Sequence, residues 1–354
     1  MPYRQLAAKG LLEDLYPYLD ADEELKREDF FPTVLAAMEV DGKLCQVISS
    51  FSVMTLVGAS SVVGDTPGWT YDDFEAALAS MPEGCDPLDY YTTRDDILQT
   101  LVYLDMDDFV DWTTGKCSFD SSEFIDLLHF ANRFPAKFDW DNYEWSEGDD
   151  MLSRISQGRQ MLMASSISSL DDVLYYDLYF GGRSTYIGYP SNNGLGNMLY
   201  LGEGFAMSSS CRNKDAAWEF LRTIMGENYQ NAVWGLPVNV HAFDKKLEEI
   251  MTPNYQKDAE GNYLLDENGE RIEISRGGIG FADGTIYEIY AMTQDQADRL
   301  KDLIRTTERA YEVNSSIFEI VKEQAQAFFA GQKSAEEVAR LVQSKANIYV
   351  NEQR

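Results

Sequence analysis

Leu44 to Val63, LCQVISSFSVMTLVGASSVV, is the segment that most restricts what this chain can become. Its apolar residues alternate in part with serines, which reads as two β-strands joined near Ser49-Ser50. The 354 residues exceed the roughly 250–300 at which a single hydrophobic core stops growing. Two lobes follow, and the strand pair is where the chain is expected to cross from one to the other.

Around that crossing the pattern is mostly helical. Gln5 to Leu12 reads as a helix ending at a turn that contains Gly10, and Asp29 to Met38 as another with Pro32 in its first turn. Asp41-Gly42 turns the chain. Tyr71 to Ala79, Arg94 to Leu104 and Ser121 to Arg133 each open on a Thr, Asp or Ser cap and carry apolar residues three and four apart. Gln160 to Ser166 suits a buried strand whose tip opens into a loop, and Gly204 to Ser209 a further strand, with a second crossing near Leu199. Asn213 to Met225 is a capped helix. Residues 258–274 carry two Asx/Gly turns and read as an exposed hairpin, and three helices at about 293–306, 312–330 and 334–350 close the chain, with Gly331 as a left-handed stop.

Composition removes several function classes. Lys and Arg number 29 against 60 Asp and Glu, a net charge of −31, so phosphate backbones are repelled and a nucleic-acid partner is not expected. The two histidines, His129 and His241, exclude a histidine-rich metal site, and the apolar run Phe124 to Phe130 makes His129 a packing residue. Cys45, Cys85, Cys117 and Cys211 are widely spaced without a CxxC pair, which indicates neither zinc nor a dense disulfide framework. There is no Walker lysine loop and no GxGxxG after a strand, and Asp266, Asn268 and Glu270 miss the calcium-loop register. No cofactor is expected. Aromatics are plentiful at loop-like positions, including Trp112, Trp140, Trp145, Trp234, Tyr189 and Phe281. Flat rings beside Ser, Asn and Asp suit a cleft for a small polar molecule.

Six stretches in order, LAAKGLLEDLYPYL from Leu6, DGKLCQV from Asp41, WTYDDFEA from Trp69, GRQMLMASS from Gly158, GFAMSSSCRNKDAAWEFLRTI from Gly204 and FFAGQKSAEEVARLVQSKANIYVNE from Phe328, together resemble the extracellular solute-binding proteins of ABC importers, of the maltose and oligosaccharide type. The resemblance implies an α/β, helix-rich, two-lobe periplasmic-binding-protein-like fold of type II with a hinged cleft. It begins inside the first lobe, so the family's initial strands, its signal peptide and its lipid-anchor cysteine are not matched, and the first lobe is expected to be truncated at its N-terminus. Lobe I then comprises residues 1–52 and 201–238, lobe II residues 53–200 and 239–354. Carried over by position, the ligand contacts are Ser50, Phe51 and Ser52 after the first crossing, Ser165 and Ser166 after the strand of GRQMLMASS, and Glu203 at the second crossing, completed by the aromatics Tyr189, Trp234, Phe281 and Tyr311. A tryptophan that sugar binders often carry at the start of the penultimate helix has no match. The implied function is capture of a small polar solute, a carbohydrate, by an extracellular monomer that delivers it to permease subunits without chemistry. The alternatives are a carbohydrate-active enzyme with a carboxylate pair in an aromatic cleft, and a surface interaction protein without a transport ligand.

Overall fold

The computed structural model describes residues 3–281 and 284–353. The expected strand pair forms: β1 (Val47–Ile48) and β2 (Phe51–Ala59) are separated by Ser49-Ser50 alone. Of the β2 residues from Phe51 to Gly58, only Met54 is not fully buried, as befits a strand covered on both faces. The strand ends earlier than the sequence suggests. Ser60–Val63 closes a helical turn stopped by Gly64 at φ 85°, and the Ser60 backbone N–H is spent on the Arg183 carbonyl at 2.9 Å.

β2 is the centre of the main sheet. β3 (Leu162–Ile167) lies antiparallel along one edge, while β4 (Ser184–Tyr186) and β5 (Met198–Leu201) share the other. β6 (Gly204–Phe205) leaves this sheet and pairs with β1 in a separate two-stranded one, and β7 (Arg309–Ala310) returns to run parallel beside β5. The helices Tyr71–Ala79, Arg94–Leu104 and Ala335–Glu352 begin at Thr70, Thr93 and Ser334, each reciprocally capped by the acid three residues on. Two helices were not read from the sequence, Leu170–Tyr179 and Val240–Met251. The 255–274 segment forms the expected exposed ribbon, with Lys257 opposite Tyr263 and Leu265 opposite Arg271.

The period-two alternation of β2 feeds two separate cores. Val53 and Val57 belong to one and Leu56 to the other, with Met54 packed against it. The first core gathers residues from Leu15 to Ile48, from Leu170 to Tyr186 and from Met207 to Ala310; the second gathers Trp69 to Phe134 and Ile317 to Val350. The boundary drawn from the sequence at residue 239 does not follow this packing. Helices Val240–Met251 and Gln294–Thr306 lie against the N-terminal segment: Phe243 meets Phe31 edge-on at 5.1 Å, and Thr33 Oγ1 donates to the Ile304 carbonyl at 2.9 Å. Both also pack against helix Leu170–Tyr179, so their apolar faces belong to the first core.

His129 also differs from expectation. It sits exposed on helix Ser122–Ala131 with its ring edge-on to Phe328 at 5.2 Å, outside the buried stripe. All four cysteines are free thiols.

Candidate functional site

Two chain passes lie side by side where the main sheet hands over to the small one. Ser49 N–H donates to the Glu203 carbonyl at 3.0 Å and Gly202 N–H to the Ser50 carbonyl at 2.9 Å. A third segment locks onto them: Phe51 and Leu236 exchange backbone hydrogen bonds at 3.1 and 3.2 Å. Glycine is needed at two of these points. A Cβ on Gly202 would stand 2.6 Å from the Ser50 carbonyl oxygen, and Gly235 has φ 106°, beside the Ser50 side chain. Gln230, fully buried, staples the junction, its Nε2 donating to the Ser49 and Ile224 carbonyls and its Oε1 accepting from Val238 N–H at 2.7 Å.

A cleft of about 950 Å³ opens on this junction. Ser50, Phe51 and Ser52 line it, as do Tyr200 and Gly202 from the second pass and Ala232 to Gly235 from the third. Ser168 to Asp171 at the start of helix Leu170–Tyr179 also line it, as do Lys246, Glu249 and Ile250 on the neighbouring helix Val240–Met251 and Arg276 beyond it. The Ser168 and Ser169 backbone N–H groups are held by the Asp172 carboxylate at 2.8 Å each. Trp234 is 97% exposed and Tyr200 47% exposed, so the cleft presents two large rings with little protein cover.

The structure brings four of the ten expected residues, Ser50, Phe51, Ser52 and Trp234, to this cleft. Phe51 as a whole is 2% exposed and its ring packs edge-on to Phe31, so it backs the cleft and offers no open ring to a solute. Ser166 is adjacent, donating from its hydroxyl to that of Ser52 at 3.0 Å; Ser165 instead bonds the Tyr176 hydroxyl at 2.6 Å. Glu203 lies at the second pass, with its carbonyl taken by Ser49 and its side chain exposed. Tyr311 is one ring removed from the cleft, 6.2 Å from Tyr200, and burial pushes its hydroxyl up to about 12. Tyr189 belongs to the second core, and Phe281 faces a different cavity of about 730 Å³ together with Tyr287. Trp112 is likewise a core ring, hydrogen-bonded through Nε1 to Glu312 at 3.2 Å.

Tyr200, Lys246, Glu249 and Arg276 were not anticipated. The last three sit on or against helix Val240–Met251, whose start is marked by Asn239 accepting from His241 and Ala242 N–H. That cap and the apolar spacing Ala242, Phe243, Leu247, Ile250 were the available signal. Lys246 Nζ donates to the Val233 carbonyl at 2.7 Å, and burial lowers its proton affinity. Arg276 Nη2 donates to the Glu249 and Thr252 carbonyls at 2.9 and 3.0 Å, closing the C-terminal end of the helix. Among the described residues no group of three or more His, Cys, Asp or Glu side chains could hold a metal ion, and no helix is long and apolar enough to cross a membrane. The arrangement is suited to surrounding a small molecule with rings, hydroxyls and charges.

The sequence profile of the family described as bacterial extracellular solute-binding protein matches residues 2–260. Among solved structures, the sugar-binding protein MalE from Xanthomonas citri is similar at 15% identity and a TM-score of 0.60, with 99% of this chain and 82% of that one aligned. The cyclic α-maltosyl-1,6-maltose binding protein from Arthrobacter globiformis aligns at 14% identity and TM-score 0.54 over 99% of this chain and 83% of its own. The GacH receptor of Streptomyces glaucescens, solved unliganded and with acarbose, aligns at 15% identity and TM-score 0.53 over 99% and 81%. These likenesses establish the two-lobe periplasmic-binding-protein fold. No curated protein matches the sequence.

Proposed function

The chain belongs to the bacterial extracellular solute-binding proteins, and from that premise we propose that it captures a small carbohydrate in the 950 Å³ cleft and delivers it to the permease of an ABC importer. One observation carries the reading: Trp234 stands 97% exposed on the rim of a cavity built where the main sheet hands over to the small one. Burying an indole removes about 150–250 Å² from water, on the order of 4–6 kcal/mol. A ring left this open is available to a ligand, and the flat apolar face of a pyranose fits it while Ser50, Ser52 and Ser168 reach hydroxyls. Sugar-binding relatives of the same fold support that solute class.

The moving bodies meet where the main sheet hands over to the small one, with the junction at Ser49–Phe51, Gly202-Glu203 and Leu236 as the hinge. A solute that touches both walls only when they approach shifts the population toward the closed form. The protein acts outside the cytoplasmic membrane, anchored to it or periplasmic, as a monomer, and without turnover or cofactor. Asp171 and Glu249 line the cleft, so the enzymatic alternative remains specific enough to test.

The experiment is a thermal-shift screen against mono- and oligosaccharides, amino acids and polyamines, with product analysis by chromatography. A solute at about 100 times its dissociation constant stabilises the fold by about 2.7 kcal/mol. A saccharide hit without products supports the reading. Cleavage of the sugar, or silence toward every saccharide from a cooperatively melting sample, overturns it.

A further inference from the structure

Arginine in this chain is generally matched to acid. Arg222 bonds Asp22 and Glu24, Arg299 bonds Asp177 and Asp295, and Arg183 bonds Asp295. With 60 acidic residues against 29 basic ones, finding such a partner is easy. Arg276 departs from this pattern, as Arg94, Arg212, Arg271 and Arg340 also do among the described residues. Lys246 and Arg276 both line the cleft, and among the described residues neither forms an ion pair. Each is aimed by backbone carbonyls instead: Lys246 by Val233, Arg276 through Nη2 alone by Glu249 and Thr252. Among the described residues, the Nε and Nη1 edge of the guanidinium and two ammonium protons of Lys246 have no hydrogen-bond partner. The cleft lining thus holds two cations, Lys246 and Arg276, against two carboxylates, Asp171 and Glu249, where the whole chain has about two acids per base. Glu249 lies close enough to Lys246 to favour its charged form, yet the ammonium stays on the Val233 carbonyl.

A half-buried ammonium and an arginine fork with a free edge, both fixed by main chain, are preorganised for an anion. We infer that the saccharide of this cleft bears an anionic substituent, a carboxylate or a phosphate, seated between Lys246 and Arg276. The inference rests on the saccharide reading given above and narrows it. The sugar ring stacks at Trp234 while the charged group points to helix Val240–Met251. In a protein with a net charge of −31 these two side chains offset the long-range repulsion of such a solute.

Calorimetric titration of the full chain with three matched pairs tests it: trigalacturonate against galactotriose, glucuronate against glucose, and glucose 6-phosphate against glucose. The expected result is that the charged member of at least one pair binds about tenfold or more tightly than its neutral partner. Carboxylate and phosphate are told apart by which pair shows the difference. Lys246→Met and Arg276→Gln should each erase it. Because Arg276 also closes a helix end, a lowered melting temperature in that variant leaves Lys246→Met as the deciding one. Neutral members binding as well as charged ones, or a Lys246→Met variant that keeps the full preference, overturns the inference and leaves a neutral-sugar binder. Failure of every saccharide, charged or neutral, overturns both.

Discussion

The two cores on either side of β2 are built differently. The second is made of capped helices from two stretches of the chain, filled by rings: Phe109, Phe119 and Phe124 meet at 5.0 to 5.5 Å, and Trp69, Phe74 and Phe130 form a second chain of edge-on contacts. The first is assembled from short pieces far apart in the chain, held by polar ties such as Asp22 to Arg222 and Trp218. The difference teaches where stability and adaptability lie. A dense aromatic core resists deformation, whereas the first core carries the Lys246 and Trp234 walls of the cleft on elements joined by individually breakable bonds.

The largest expected effect is in the second core. Phe124 is fully buried between Phe109 and Phe119, and Phe124→Ala should cost about 3–5 kcal/mol in denaturant unfolding. Phe31→Ala, at a half-buried ring of the first core, should cost clearly less. Equal losses would erase the contrast.

The next effect belongs to the polar tie. The Asp22 carboxylate accepts from Arg222 Nε at 2.7 Å and Nη2 at 3.0 Å and from Trp218 Nε1 at 3.0 Å. Although burial opposes its charge, these donors and the Glu24 and Leu25 N–H groups hold its proton affinity well below the usual carboxylate range. A depressed folded-state value gives stability that is present above about pH 4 and lost as pH falls further. Asp22→Asn should destabilise by about 1–3 kcal/mol at pH 7 and flatten the acid limb of the stability profile. An unchanged acid limb would remove Asp22 from the account.

Glu312 has the opposite sign. Burial pushes its carboxyl up to about 7, against the pull of Arg4 at 3.0 Å, with Asp107 adding to the rise. A raised acid favours the folded state when protonated, so its contribution is present at low pH and is lost as pH rises from about 4.5 through 7. Glu312→Gln should therefore stabilise the protein by on the order of 1–2 kcal/mol at pH 8 and have little effect at pH 5. Melting curves at the two pH values check it, and a variant less stable at pH 8 than the parent would show that the Arg4 pair outweighs desolvation.

The legible part of this molecule was local. Caps at Thr70, Thr93 and Ser121 and the Ser49-Ser50 break between strands are written in short windows, and the structure places them within a residue or two. The burial of Tyr189 and Trp112 was not legible, because an aromatic in a loop looks the same whether or not another segment covers it. Nor was the placement of helix Val240–Met251 beside Phe31, which depends on contacts some two hundred residues apart. Lys246 and Arg276 were missed for the same reason: their sharing of one cleft is a property of the packed fold and of no motif.

The smallest effect on stability should accompany a large effect on binding. Trp234 has no ring contact among the described aromatic pairs and is 97% exposed, so Trp234→Ala removes almost no packing and should leave the unfolding free energy within about 0.5 kcal/mol of the parent. If the indole stacks on the solute, the same change should weaken binding by about ten- to hundredfold, the equivalent of about 1.4–2.7 kcal/mol. Tyr200→Ala, from a ring already leaning on Tyr311 at 6.2 Å, should lose some of both. Intrinsic fluorescence of Trp234 during titration separates the two residues. A spectral shift that survives in Tyr200→Ala but vanishes in Trp234→Ala assigns solute contact to the wall of the first core, and no shift in the parent would move the binding face away from that wall.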